Sequence, residues 1–321
     1  MEKHFSLKYL IAICTGIILV FSIFFQYRYV PLFPNQVKIG ATYMTMNNTF
    51  YKIVNSEIEK VVDSKGDVLY TRDPALSVSK QCQQIQSFID NKVDVIIINP
   101  IDSNSKELLK VLEKAKKIGI KIIVVDSQLQ NKKVADVTIV SDNYNAGVLD
   151  AKNMMATVSQ ANILLLEHSD TLSAVDRING FLDTISGNEK YTIVSRLESL
   201  GQTEIAMPVV EKAVEDGLQF DVIMALNDQS ALGALAAIKE KGLAQKIYIY
   251  GVDGSPDMKN FIQNTQDIQA TVAQSPVTIG TEAVQSVYQL LAGEKVENNI
   301  TVPVELIDKT NISDFEIAGW Q

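Results

Sequence analysis

The sequence predicts an α/β protein of two doubly wound parallel-sheet domains behind one N-terminal transmembrane helix. Three observations predict it. From residue 36 onward, short β-branched runs alternate with amphipathic stretches of helical period. That pattern echoes itself at an offset of about 125 residues. The front of the chain is an uncharged apolar run over residues 9–26. A length of 321 residues suits about two domains.

The apolar run, YLIAICTGIILVFSIFFQ, is long enough as a helix to cross a bilayer core of about 30 Å almost without tilt. Lys3 and Lys8 precede it, and Arg28 is followed by a strongly acidic remainder. This asymmetry places the N-terminus in the cytoplasm and the bulk outside, extracellular or periplasmic, with Tyr9, Tyr27 and Tyr29 at the interfaces. A cleaved signal peptide is the alternative. It would have a shorter apolar core and a small-x-small site, which residues 22–26 do not offer. Cys14 lies mid-run behind Ile13, where a lipid-attachment site would need a small residue. The uncleaved anchor is therefore preferred. Residues 28–36, with Pro31 and Pro34, read as an extended linker, so residues 1–35 form stub, anchor and linker. Cys14 falls within the membrane and Cys82 outside it, so they cannot pair.

Strands are expected at 37–42, 67–70, 93–98, 120–125, 137–140, 162–166, 191–195, 220–225, 246–251, 268–272 and 299–304. Most are continuously apolar, as parallel strands buried on both faces are. Helices are expected between them, among others at 48–62, 77–91, 103–117, 143–158, 202–216, 227–241 and 277–291. The Lys-rich stretch 106–121 alternates with Glu and apolar residues and reads as a solvated helix face. A βαβα series of this kind gives parallel sheets with helices on both faces. The echo is specific. Ile39 pairs with Leu164, Asp94 with Asp221 and Asp126 with Asp253, at offsets of 125, 127 and 127. A period this long is a duplicated domain plan rather than a solenoid.

Ligands of open parallel sheets bind beyond the carboxyl ends of the strands. Those ends carry Asn48, Asn99, Asp126, Arg177, Asn227, Asp253 and Gln274, with Phe50 and Tyr51 just after Asn48. Carboxylates, amides and a guanidinium can exchange paired hydrogen bonds with hydroxyls. An aromatic face packs against the C–H face of a sugar ring. Together they describe a carbohydrate site. Each residue also has a plain structural reading: Asn48 and Asn227 as helix N-caps, Asp126 and Asp253 as turn formers, Arg177 as an ion-pair partner, Gln274 as a hinge residue. His168 reads as structural.

The motifs NNTFY (47–51), INPIDS (98–103), VVDS (124–127), VSDNYNAG (140–147), SAVDRINGF (173–181), NDQSALGAL (227–235), YGVDGSPD (250–257) and ATVAQSP (270–276) stand in this order. The chain in this respect resembles the ribose-type branch of the type I periplasmic binding proteins, the sugar-binding components of ABC importers. The resemblance covers residues 36–308. It implies two lobes joined by a three-stranded hinge, residues 36–141 with 275–303 and residues 142–274 with 304–321. It implies that Asn48 and Asn99 bind hydroxyls, that Phe50 or Tyr51 stacks on the ring and that Asp126 accepts from two hydroxyls. Arg177, Asn227 and Asp253 would supply the opposite wall, and Gln274 would contact the sugar at a crossover. The chain departs from the family in carrying Ser127 where Asp-Arg is common, and in lacking an aromatic near Leu200-Gly201.

Other classes fit poorly. With 29 basic against 38 acidic residues the net charge is −9, and without residues 1–35 it is 26 against 37, or −11, which speaks against nucleic acid. Only two histidines are present, and no P-loop or metalloprotease, dinucleotide or nucleophile-elbow motif appears, so no enzyme activity and no cofactor or metal is expected. A glycosidase-like pairing of Asp126 with Asp253 is the residual enzyme reading. A lactose-repressor-type regulator would need a basic helix-turn-helix where the apolar run stands. The expected function is a membrane-anchored monosaccharide receptor that closes on its sugar and signals to a membrane histidine kinase. The alternative is the solute-binding component of an ABC sugar importer, with a permease as partner.

Overall fold

The structure is a computed structural model that describes residues 7–29 and 36–320 except Ala244, and within the first stretch the side chains of residues 13–24. Helix α1 (Leu7–Tyr29) comes first. The chain then builds β1 (Lys38–Thr42), α2 (Thr49–Lys65), β2 (Val68–Arg72), α3 (Val78–Asp90), β3 (Val95–Ile98), α4 (Lys106–Lys117), β4 (Lys121–Val125) and β5 (Val137–Ser141). Next come α5 (Asn143–Thr157), β6 (Ala161–Glu167), α6 (Leu172–Ile185), β7 (Tyr191–Glu198), α7 (Thr203–Glu215), β8 (Val222–Ala225) and α8 (Asp228–Glu240). β9 (Tyr248–Asp253), α9 (Pro256–Asn264), β10 (Ile268–Ala273), α10 (Pro276–Leu291), β11 (Asn299–Val302) and β12 (Glu305–Asp308) follow.

Two six-stranded sheets result, ordered β11-β5-β4-β3-β1-β2 and β12-β10-β9-β8-β6-β7. The orders match position by position, as a duplicated plan requires. Strands β3 and β8 are buried along their whole length, because helices cover both faces of each sheet. Apolar clusters flank each sheet, one holding Ile39, Ile97 and Ile123 and its counterpart Leu164, Ile223 and Ile249. The chain leaves the first sheet after Ser141, returns to it at Asn299 and leaves again between Val302 and Glu305. The Asp142 N–H donates to the Val302 carbonyl (2.9 Å), so two of these passages are tied together.

The strand expected at 299–304 stops at Val302 as β11, and a further strand, β12, follows at Glu305–Asp308 beyond the expected range. Pro303 has no N–H to give to a ladder, and the pairing breaks there. β11 pairs with β5 in parallel, while β12 pairs antiparallel with β10 in the other sheet. Among the described residues no helix is long and apolar enough to cross a membrane. The described side chains of α1 are twelve residues only; they are exposed, Phe21 at 69%. Much of the linker read at 28–36, namely 30–35, lies outside the described residues.

Helices α5 and α6 meet backbone to backbone. A Cβ on Gly147 would fall on the Arg177 carbonyl oxygen, and one on Gly180 on the carbonyl oxygen of Tyr144. Neither obstacle is a movable side-chain tip. Gly147→Ala and Gly180→Ala are each expected to cost about 1–3 kcal/mol or more, read as a lowered melting temperature. The double variant should cost less than the two single losses together, because both glycines serve one contact.

Candidate functional site

The carboxyl ends of both sheets meet at a small, narrow cavity. Its wall includes Asn48, Phe50, Tyr51, Asp126, Arg177, Asn227, Asp253 and Gln274. Asn48 precedes α2 and caps it, its Oδ1 accepting from the Phe50 N–H (2.9 Å). The cap fixes the start of the helix and so aims both aromatics. Tyr51 stacks on Tyr43 at 5.9 Å, and Phe50 stands edge-on to Tyr51 and to Trp320 at 5.5 and 5.8 Å.

Asp126 directly follows β4, and Asp253 ends the equivalent strand β9. Both have positive φ, 65° and 143°. Such a backbone costs a non-glycine residue on the order of 1–3 kcal/mol and occurs where a side chain must be held at a set position. Arg177 reaches between them from α6. Its Nε donates to Asn143 Oδ1 (2.8 Å) and its Nη1 to the Leu226 carbonyl (3.0 Å). Nη2 lies 3.8 Å from Asp126 Oδ1 and Nη1 lies 3.9 Å from Asp253 Oδ1. These are ion pairs without close hydrogen bonds, so the facing carboxylate oxygens keep acceptor capacity.

Asp126 is less open than expected. Its Oδ2 already accepts from Tyr51 Oη (3.0 Å) and Asn99 Nδ2 (3.2 Å), which fills that oxygen. Only Oδ1 remains for a second group, not two oxygens for two hydroxyls. Asn99 itself is not on the wall. Its Oδ1 accepts from the Met44 N–H and its Nδ2 also donates to the Val125 carbonyl, so it positions Asp126 from behind. Tyr51 therefore offers a hydroxyl as well as a ring face.

Asn227 caps α8, accepting from the Ser230 N–H (3.0 Å), and donates to the Gly201 carbonyl (3.1 Å). Gln274 Nε2 donates to Asp253 Oδ1 (2.7 Å), and its Oε1 is buried without a partner. His168, Ser173 and Gln202 also line the cavity and were not foreseen there. Leu200 and Gly201 occupy the place where an aromatic was missed, and both have positive φ. Ser173 opens the SAVDRINGF motif and could have been found from it; Gln202 carried no sequence signal.

The electrostatics are lopsided. Arg177 is surrounded by Asp126, Asp150, Asp228 and Asp253, all buried. Burial pushes the Asp126 carboxyl up, against the pull of Arg177 and the bonds from Tyr51 and Asn99. Burial and the neighbouring Asp228 hold Asp253 well above the usual carboxylate range. Asp228 is raised by burial too, although Thr271 Oγ1 (2.6 Å) and the Ser255 N–H (2.8 Å) donate to it. Neither oxygen of Asp150 has a hydrogen-bond partner. His168 is pushed down by burial, toward the neutral form.

A family profile described as "Periplasmic binding protein domain" matches residues 39–295. Among curated proteins, the ribose import binding protein of Bacillus subtilis is 29% identical over 270 residues, covering 84% of this chain and 86% of that protein. Among solved structures, an ABC transporter solute binding protein from Agrobacterium vitis with bound D-fucose is 28% identical with a TM-score of 0.79, covering 86% of this chain and 96% of that one. One from Mycobacterium smegmatis with bound glycerol is 26% identical with a TM-score of 0.81, covering 87% and 96%.

Burial and Asp228 keep the proton on Asp150 to a pH well above the usual range. The stability tied to that proton is complete below the unfolded value near 4 and is lost as pH rises through the folded value. Asp150→Asn keeps the shape and removes the titration. It is expected to raise the melting temperature at pH 7–8, and the gain over wild type should shrink as pH is lowered toward 4.

Proposed function

The chain belongs to the periplasmic binding protein domain family, and from that membership we propose that it binds a monosaccharide outside the cell membrane, as the solute-binding component of an ABC sugar importer. The observation that carries the reading is Arg177 held between Asp126 and Asp253, each with an acceptor oxygen left over, beside Phe50, Tyr51 and the amides of Asn48, Asn227 and Gln274. Such a wall suits a compact neutral polyol with hydroxyls on its edge and C–H groups on its face. The import and transporter names of the relatives support this role over the kinase-facing one. The sensor partnered with a histidine kinase, put first on the sequence, therefore gives way to the importer with a permease.

Residues 36–141 with 275–303 and residues 142–274 with 304–321 act as two jaws around the ligand. The ligand binds the closed arrangement better and shifts the equilibrium toward it. Helix α1 tethers the receptor to the membrane; the uncharged run at 9–26 and the exposure of Ile18, Val20 and Phe21 support this. Asp126 and Asp253 serve binding rather than glycosidic chemistry: both are held beside one guanidinium, whose pull opposes the upward push of burial on each carboxyl.

The full-length protein in detergent is screened by thermal shift against pentoses, hexoses, inositols and disaccharides. A monosaccharide or cyclic polyol should raise the melting temperature, and silence across the panel would overturn the reading. By calorimetry with the best binder, Asp126→Ala and Arg177→Ala should each weaken binding at least about thirty-fold while the far-ultraviolet spectrum is kept. Unchanged affinity in both would remove this cavity as the site.

Tyr51→Phe frees Asp126 Oδ2 as an acceptor. A monodeoxy analogue that equals its parent sugar on wild type should then bind the variant about ten-fold less well than the parent does. If no deoxy analogue changes its rank, the tyrosine hydroxyl plays no part in selection.

A further inference from the structure

Helix α6 is not capped by its own lobe. Thr171, at its N-cap, makes no side-chain hydrogen bond to it, whereas α2, α3, α4, α5, α8, α9 and α10 are each capped by the Ser, Asn or Asp that precedes them. The first N–H groups of α6 find partners across the cleft instead. The Leu172 N–H donates to Ser103 Oγ (3.1 Å), and the Ser173 N–H donates to Ser127 Oγ (3.2 Å). Ser103 follows β3 and Ser127 follows β4, so both belong to the other sheet. Both serines are fully buried, and their hydroxyl oxygens lie 3.5 Å apart. The Ser103 N–H donates to the Asp170 carbonyl (2.9 Å), and Gln128 Nε2 donates to Asp176 Oδ2 (2.8 Å), extending the same seam.

We propose that Ser103 and Ser127 are positioning residues that set ligand affinity by capping α6 in trans, so that the protein itself supplies part of the free energy of closure. The proposal rests on the two-jaw binding reading above. Opening the jaws takes both hydroxyls away from the helix and returns its first N–H groups to water. An N-cap is a recognised contribution to helix stability, and here it exists only when the lobes are shut. Any ligand that needs the closed form is then bound more tightly in proportion to the closed population. Ser127 stands one residue after Asp126, so the residue that holds the jaw shut and the one that faces the cavity share a loop. The cap is thereby coupled to the site by one peptide unit rather than by a long path.

Full-length protein in detergent is compared with S103A, S127A, the double variant and S127T. Residue-resolved hydrogen exchange is followed without sugar, and then with the sugar selected by the thermal screen, D-ribose being the first probe. Without sugar, the Leu172 and Ser173 amides should exchange about 3–10-fold faster in the alanine variants, with the Phe181 amide unchanged. S127T, which keeps a hydroxyl, should restore protection of Ser173. With sugar, the dissociation rate should rise about 3–10-fold while the association rate holds. Unchanged exchange at both amides in the double variant overturns the cap. A fall in melting temperature with no change in dissociation rate reduces both serines to a structural role and overturns the affinity claim. If no sugar binds any form, the binding reading fails, and the exchange data still decide whether the cap exists.

Discussion

The charge of Arg177 lies among four buried carboxylates, and a buried charge group tolerates that only if its geometry is fixed and its remaining hydrogens are used. Two of its hydrogen bonds do the fixing. One goes to Asn143 on α5 and one to the carbonyl of Leu226 at the end of β8. The guanidinium is therefore placed by the contact of α5 with α6 and by the edge of the central strands. Gly147 and Gly180 enter the site in this way without touching it, since they set how closely α5 can approach the helix that carries Arg177. Packing of the second lobe and electrostatics of the cavity are one constraint seen at two scales.

The fold was largely legible because its signals are long and redundant. Continuous apolar runs of four to six residues, repeated at a fixed offset, leave few arrangements other than two parallel sheets. The turn at Pro303 was harder to see. Residues 299–304 are β-prone throughout, and only the missing N–H of one proline tells that the ladder changes sheet there. The residues around the cavity could be named because strand ends converge in such sheets. Their hydrogen bonds could not. That Tyr51 and Asn99 fill one oxygen of Asp126 depends on side chains 75 and 27 residues away in the chain. Gln202 was invisible for a related reason: it comes to the wall through the left-handed backbone of Leu200 and Gly201, which no periodicity marks.

The two lobes share a strand order yet differ in how they treat their helix ends. In the first, the helices after β1, β2 and β3 open on Asn48, Ser77 and Ser105, each capping its own helix. In the second, α6 and α7 lack a capping side chain of their own, whereas α8, whose N-cap Asn227 lines the same cavity, has one. Asn47 Nδ2 also reaches from the first lobe to Glu204 in the first turn of α7 (3.3 Å). One jaw is thus locally complete, and the other has part of its hydrogen bonding completed by the first.

The late arrival of β11 has a consequence for how the chain folds as it emerges. The edge of the first sheet at β5 pairs with residues about 160 positions further along. Until the whole second lobe has been made, Val137–Ser141 presents an unpaired strand edge, and such edges invite pairing with other chains. The contact also spans most of the polypeptide, which slows its closure relative to the local βαβ units. The first lobe must therefore wait for the last stretch of the chain before its sheet is sealed, and synthesis or export that stalls after residue 298 would release a species prone to aggregate.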